Sequence, residues 1–257
     1  TSGEFTQVVL NAGYEGGNFG VIFQGTIKQF VTGRVDNVTT FLDILAADGD
    51  IGYNQGIVNQ TLAKGSTPLD AINAAGRDMG LADIDVNSLK GDVQHFPSIR
   101  GQVLYGMGRV RLRNIATHLD SSWSIQNGSV VFLNNTGYRD GEAVVLNSGT
   151  GLIGVPEQTD GGIKLRSLLN SRFRIGSLVK IDNSSIVQLM QQNPNAAPVP
   201  FNQYTGFQFN TPLSPDGLYR LYVVEHEGDT RGQPWYSNLT CLAVDATVNR
   251  ETSVSAN

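Results

Sequence analysis

The stretch Gly151-Leu152-Ile153-Gly154-Val155-Pro156-Glu157-Gln158-Thr159-Asp160-Gly161-Gly162-Ile163-Lys164-Leu165-Arg166-Ser167-Leu168-Leu169-Asn170 constrains the fold of this chain more than any other. So many turn formers leave no room for a helix. The expected path is a tight Gly-bounded turn, a Pro, a polar loop, and then a short strand that feeds Leu168-Leu169. No catalytic constellation sits among these residues, so the segment is expected to be a structural seam opening a β domain.

Composition agrees with a β-rich chain. Charged residues make up 16% of the 257 positions and Gly occurs 30 times, against roughly 25% charged residues in an average soluble domain. A chain of this length builds one large β domain or two to three small ones, and burying ~75% of its unfolded surface removes the need for a disulfide or metal staple. The formal net charge is −5 with scattered Lys and Arg, which excludes the basic footprint of a nucleic-acid binder. Arg109, Arg111 and Arg113 form the densest basic stretch and are expected on a solvated or partner-facing patch. The single Cys241 lies in the apolar run Leu239 to Val244 and is expected to be a buried, inert thiol. No apolar run approaches the ~20 residues of a membrane span.

Residues 1–50 predict part of a first β domain. Val21-Ile22-Phe23-Gln24-Gly25-Thr26-Ile27 and Val38 to Ala46 read as strands, and Gly13 to Gly20 as a turn-rich loop. Residues 51–150 predict a helical insertion and a small α/β unit. Ile57, Val58, Thr61 and Leu62 are spaced for a helix over 54–63. Ser66-Thr67-Pro68-Leu69-Asp70 is a start signal for a second helix, whose apolar face carries Leu69, Ile72, Ala75 and Met79. A third helix is expected over 102–119. Trp123 to Gln126 and Ser129 to Leu133, joined by Asn127-Gly128, read as a hairpin, and Ala143 to Leu146 as an added edge strand.

Residues 151–246 predict a second β domain. Its strands include Ile163 to Arg166, Leu178 to Ile181, Leu218 to His226 and Tyr236 to Val244. Asn193 to Pro200 is expected to be a surface loop, and 247–257 a flexible tail. The fold class is α+β, predominantly β: two barrel-like β domains flanking a helical and small α/β middle region.

Chemistry has few footholds in this sequence. Glu225-His226-Glu227-Gly228-Asp229-Thr230-Arg231-Gly232 concentrates carboxylates, an imidazole and a guanidinium. On a strand, however, Glu225 and Glu227 face one way and His226 the other, so they cannot converge on one ion or one bond. The Gly228–Gly232 part reads as a turn in which Asp229 bonds nearby backbone. Asp48-Gly49-Asp50 lacks the further oxygen ligands of a calcium loop and reads as a turn into a helix. His95 and His118 stand alone. The Gly13–Gly20 loop lacks the Lys and helix start of a phosphate loop, and no Gly-x-Ser-x-Gly elbow occurs. No catalytic, cofactor-binding or metal residue is expected, and the chain is not expected to be an enzyme.

Several of these segments, in order, resemble the baseplate hub proteins of contractile-tailed bacteriophages. Ala12-Gly13-Tyr14-Glu15 with Val21 to Ile27 is similar to the closing strands of the hub's first barrel, and Thr67-Pro68-Leu69-Asp70-Ala71-Ile72 to the helix inserted after it. Trp123-Ser124-Ile125-Gln126-Asn127-Gly128 is similar to the hub's small α/β unit. Gly151 to Asn170, with Arg172 to Ile181, is similar to the entry to the second barrel, and the His226-to-Gly232 turn before Trp235 to a structural turn there.

The resemblance implies a virion structural protein of the tail baseplate, assembled in the host cytoplasm. It implies a homotrimer whose paired barrels make a pseudo-sixfold ring. The implied partners are the central spike of the cell-puncturing device, the tail tube or its initiator, and other baseplate proteins, without direct nucleic-acid recognition. Interface residues are expected at Arg172, Phe173, Arg174 and Tyr204. Because residues 1–45 enter the first barrel under way, a preceding N-terminal segment is also expected. Two readings stay open beside this one: a tail-associated cell-wall or polysaccharide hydrolase with carboxylates from distant strands, and a carbohydrate-binding β module using Trp123, Trp235 and Tyr residues.

Overall fold

The computed structural model describes residues 7–81, 83–89, 93, 96–159, 161–188, 213–214 and 216–244. It divides into two compact units, one of Thr1–Ala12 with Phe19–Gly137 and one of Gly13–Asn18 with Tyr138–Asn257. Strands carry most of the regular structure, so the fold is α+β and predominantly β.

The first unit opens with an antiparallel sheet of β1 (Gln7–Ala12), β2 (Gly20–Arg34) and β3 (Thr40–Ala47), in that order. Asp36 closes the β2–β3 turn by accepting from the backbone N–H of Thr39 at 2.6 Å and of Val38 at 2.8 Å. Those donors hold its carboxyl below the usual range. A short helix, α1 (Asp50–Gln55), follows from Gly49 at φ 59.

The helix expected over 54–63 is not there. Gly56 turns extended at φ −63, ψ 116, and residues Ile57–Leu62 form β4. Its β-branched Ile57, Val58 and Thr61 suit a pleated ribbon. The strand pairs residue for residue with β6 (Gln102–Met107), from Ile57↔Met107 to Leu62↔Gln102. The same pairing shortens the third expected helix, because 102–107 is strand and only α3 (Gly108–His118) is helical. A distant partner strand has overridden local spacing in both places.

The second helix is where its start signal puts it. α2 (Pro68–Asp78) begins with a capping box: Thr67 Oγ1 accepts from Asp70 N, and Asp70 Oδ2 accepts from Thr67 N at 2.8 Å. These contacts satisfy two otherwise orphaned donors. The inner face of α2, including Ile72 and Ala75, packs with α3's Leu112 and Ala116 and with Val58 of β4. On the other side of this core lies a small sheet, ordered β5 (Ile84–Asp85), β8 (Ser129–Asn134), β7 (Ser121–Gln126). It contributes the fully buried Val130 and Phe132.

The second unit is a seven-stranded sheet ordered β13 (Val187–Gln188), β10 (Leu152–Thr159), β11 (Gly162–Leu168), β15 (Trp235–Ala243), β14 (Leu218–Gly228), β12 (Leu178–Ile181), β9 (Val144–Leu146). The edge strand expected at 143–146 is β9, but it joins this sheet rather than the small α/β unit. Alternation along β11 sends Ile163 and Leu165 inward, beside Leu239 and Cys241 of β15 and Tyr219 and Leu221 of β14. The Gly151–Asn170 seam differs from expectation: Leu152–Thr159 is one strand where the sequence predicts a tight turn and then a polar loop. Pro156 is tolerated there because the ladder to β11 breaks register between Ile153 and Glu157, where its missing N–H costs nothing. The loop Asn193–Pro200 and the tail 247–257 lie outside the described residues.

Candidate assembly surfaces

In the Glu225–Gly232 cluster, β14 carries Glu225, His226 and Glu227 on alternating faces. The two glutamates are exposed and the imidazole is half-buried. His226 Nδ1 lies 2.9 Å from Oγ of the fully buried Ser237 across the β14–β15 ladder. Burial holds the His226 ring below the usual imidazole range. Asp229 accepts from Arg231 N at 2.8 Å, and Asp229 N donates to Pro234 O at 2.8 Å. His226 and Ser237 thus serve the ladder, and Asp229 the turn.

This turn also anchors the Gly13–Asn18 loop within the second unit. Trp235 Nε1 donates to Gly13 O, and Tyr14 Oη donates to Trp235 O, both at 3.3 Å. The fold thus gives Trp235 a polar partner as well as a packing role. Cys241 is fully buried, with its thiol pushed up to about 12 by desolvation.

Two motifs that are far apart in sequence meet in the first unit. The Asp48 carboxylate accepts from the backbone N–H of Asn127 and from that of Gly128 at 2.8 Å. Asn127 and Gly128 have φ of 53 and 81, the backbone of a tight hairpin. Burial raises the Asp48 pKa in spite of these two donors. Asp50 instead accepts from Lys28 Nζ and from Asn54 Nδ2, each at 2.8 Å. The Asp48-Gly49-Asp50 segment therefore welds a helix start to a hairpin. Among the described residues no group of three His, Cys, Asp or Glu side chains is placed to hold a metal ion.

Beside this weld lies an open groove of about 550 Å³ lined in part by Tyr53, Arg113 and Trp123. Trp123 stacks on Tyr53 at 5.9 Å between centroids, and the Arg109 guanidinium lies 5.3 Å from the Tyr53 centroid. Arg109 also donates to Tyr53 O and Asn54 Oδ1, and Arg111 Nε donates to Tyr105 O at 2.7 Å. Two of the three arginines of the basic stretch are thus tied to their own chain. Trp123 and Tyr53 spend their rings on each other, which counts against a sugar-stacking platform. His118 contacts Asn114 O through Nδ1 on α3, while His95 lies outside the described residues.

Of the four expected interface positions, Arg172 and Arg174 are exposed and Tyr204 lies outside the described residues. Phe173 is corrected: it is 3% exposed and belongs to the core of the second unit. The turn that starts at Asn170, where Oδ1 accepts from Arg172 N and the carbonyl accepts from Phe173 N, swings the ring inward between its two solvated arginines.

A further exposed apolar surface lies on the arm formed by the far half of β2 with β3. Among the described residues β1 pairs with β2 along Gly20–Thr26, whereas β3 runs with it from Thr26 to Arg34. Register places Phe30, Leu42 and Ile44 on one face of the arm and Val31, Phe41 and Leu45 on the other, and all six are exposed.

No protein-family model matches the chain, and no curated protein matches its sequence. Among solved structures, the 43 kDa tail protein of prophage MuSo2 from Shewanella oneidensis superposes with a TM-score of 0.53 at 10% identity, covering 88% of this chain and 80% of that one. The fold is that of a phage tail protein. A tail protein from Neisseria meningitidis MC58 superposes with a TM-score of 0.51 at 8% identity, covering 87% of this chain and 81% of that one. The tail-protein fold spans both units of the chain. Among the described residues, no helix is long and apolar enough to cross a membrane.

Proposed function

We propose that this chain is a structural hub of a contractile phage tail or a related injection machine, and that it works by assembly rather than catalysis. Three copies close into a ring at the baseplate. Each contributes two β units, so that the ring presents pseudo-sixfold symmetry to the tail tube and threefold symmetry to the central spike. The ring holds tube and spike in register until contraction drives the spike through the cell envelope, with other baseplate proteins around it. Its place of work is the virion tail.

The observation that carries this reading is the tail-protein fold running along 88% of the chain at a TM-score of 0.53. The geometry of the polar cluster agrees with a non-catalytic role, because β14 splits its carboxylates and its imidazole between opposite faces. Obligate rings of this kind need large apolar contacts, and the first unit carries a surface of that character.

Immunogold labelling of intact particles tests the assignment. Gold is expected at the end of the tail where tube and spike meet. Label on the capsid, along the sheath, or only in the free protein pool of the lysate overturns it.

A further inference from the structure

A monomeric protein hides a hydrophobic strand on at least one face, and blunts an open sheet edge with charge, Pro or a bulge. The β2–β3 arm leaves both faces exposed, and its register shift, between Ile27 and Gln29, lies at its base. Among the described residues β2 pairs beyond Thr26 with β3 alone, and a ribbon exposed on both faces is marginal in water without something packed on it. Phe30 and Ile44 lie opposite each other on one face and are 51% and 47% exposed. On the other face, Leu45 is 59% exposed. The free edge of β3, Thr40–Ala47, carries one charge, Asp43.

We propose that the β2–β3 arm is an interface between copies of this chain, covered on both faces by a second copy. Three features of the molecule name that occupant. The first is area. Six large side chains about half exposed, with Val35 and Val38 at the hairpin tip, present on the order of 600–800 Å², close to the ~800 Å² per partner of a standard interface and above the patch that a monomer usually carries.

The second feature is charge. Lys28 is paired with Asp50 and Arg34 offsets one of Asp36 and Asp43, so the arm keeps a single net negative charge in a chain of net charge −5, and copies meet there with little repulsion. The third is a receiving surface on the same unit. The β4–β6 ribbon turns Ile57, Val103 and Tyr105 outward, 60%, 68% and 63% exposed, on the face opposite the buried Val58. A chain with an uncovered apolar arm and an uncovered apolar ribbon holds both halves of a head-to-tail contact.

The inference rests on the ring reading and assigns that ring one of its contacts. The test uses the full chain with benzoylphenylalanine in place of Phe41, irradiated as an equal mixture of ¹⁵N-labelled and unlabelled protein. Cross-linked peptides carrying one labelled and one unlabelled partner are expected. The double variant Leu42→Lys with Leu45→Glu, one change on each face, is expected to weaken self-association at least ten-fold while leaving the far-ultraviolet circular dichroism and melting of the monomer unchanged.

Cross-links confined to single chains overturn the inference. A multimer that forms without arm cross-links also overturns it, while leaving the hub reading in place. Arm cross-links in open chains that never close at three copies support the inference and count against the ring.

Discussion

Tyr219 shows how this molecule handles a buried polar tip. Its side chain is fully buried, yet the hydroxyl donates to Asn183 Oδ1 at 2.6 Å and accepts from Ser214 N at 3.2 Å, and Asn183 Nδ2 donates to Ser214 O at 2.6 Å. Removing the hydroxyl leaves the other groups without their partner. Tyr219→Phe is therefore expected to cost about 1–3 kcal/mol in urea unfolding, more than a surface Tyr→Phe change. His226 responds to pH instead. Its folded pKa is depressed by burial, so the unfolded chain binds the proton more readily. The neutral ring's contribution is complete above the unfolded value of about 6.5 and is lost as pH falls below that value toward the folded one. Melting temperature is expected to drop between pH 7.5 and pH 5.5, and His226→Gln, which does not titrate, is expected to flatten that part of the profile.

At the scale of elements, the hairpin of β7 and β8 depends on a backbone that only its two turn residues favour. Gly128 sits at φ 81, where an added Cβ is strained, and its N–H is held by Asp48. Gly128→Ala is expected to destabilise the first unit by about 1–2 kcal/mol in thermal or chemical unfolding.

That hairpin is legible in the sequence because Asn-Gly specifies a turn locally, and α2 is legible because Thr67, Pro68 and Asp70 specify a helix start locally. β4 is not, because Ile57, Val58, Thr61 and Leu62 fit either period until β6 arrives from some forty residues downstream. Phe173 misleads for a similar reason: its arginine neighbours mark a solvated stretch, and only the turn at Asn170 turns the ring into the core. Composition marks the β2–β3 arm as strand. Its exposure is invisible in sequence, since that depends on what the rest of the fold packs against it rather than on anything inside the run Thr40–Ala47.

For the whole molecule, each unit has its own buried core, while the first also leaves large apolar side chains uncovered. A chain with buried cores and an uncovered apolar surface meets the condition expected of a ring subunit. Order along the sequence is the most useful signal at this scale. The hub-like segments are individually weak, yet they follow one another through both units, and the tail-protein fold spans the same stretch.

The most direct test of the hub account is the solution mass of the purified chain, measured by multi-angle light scattering over a wide range of concentrations. The account predicts a stable species of three times the 27.7 kDa chain mass. A mass of one chain at every concentration contradicts it.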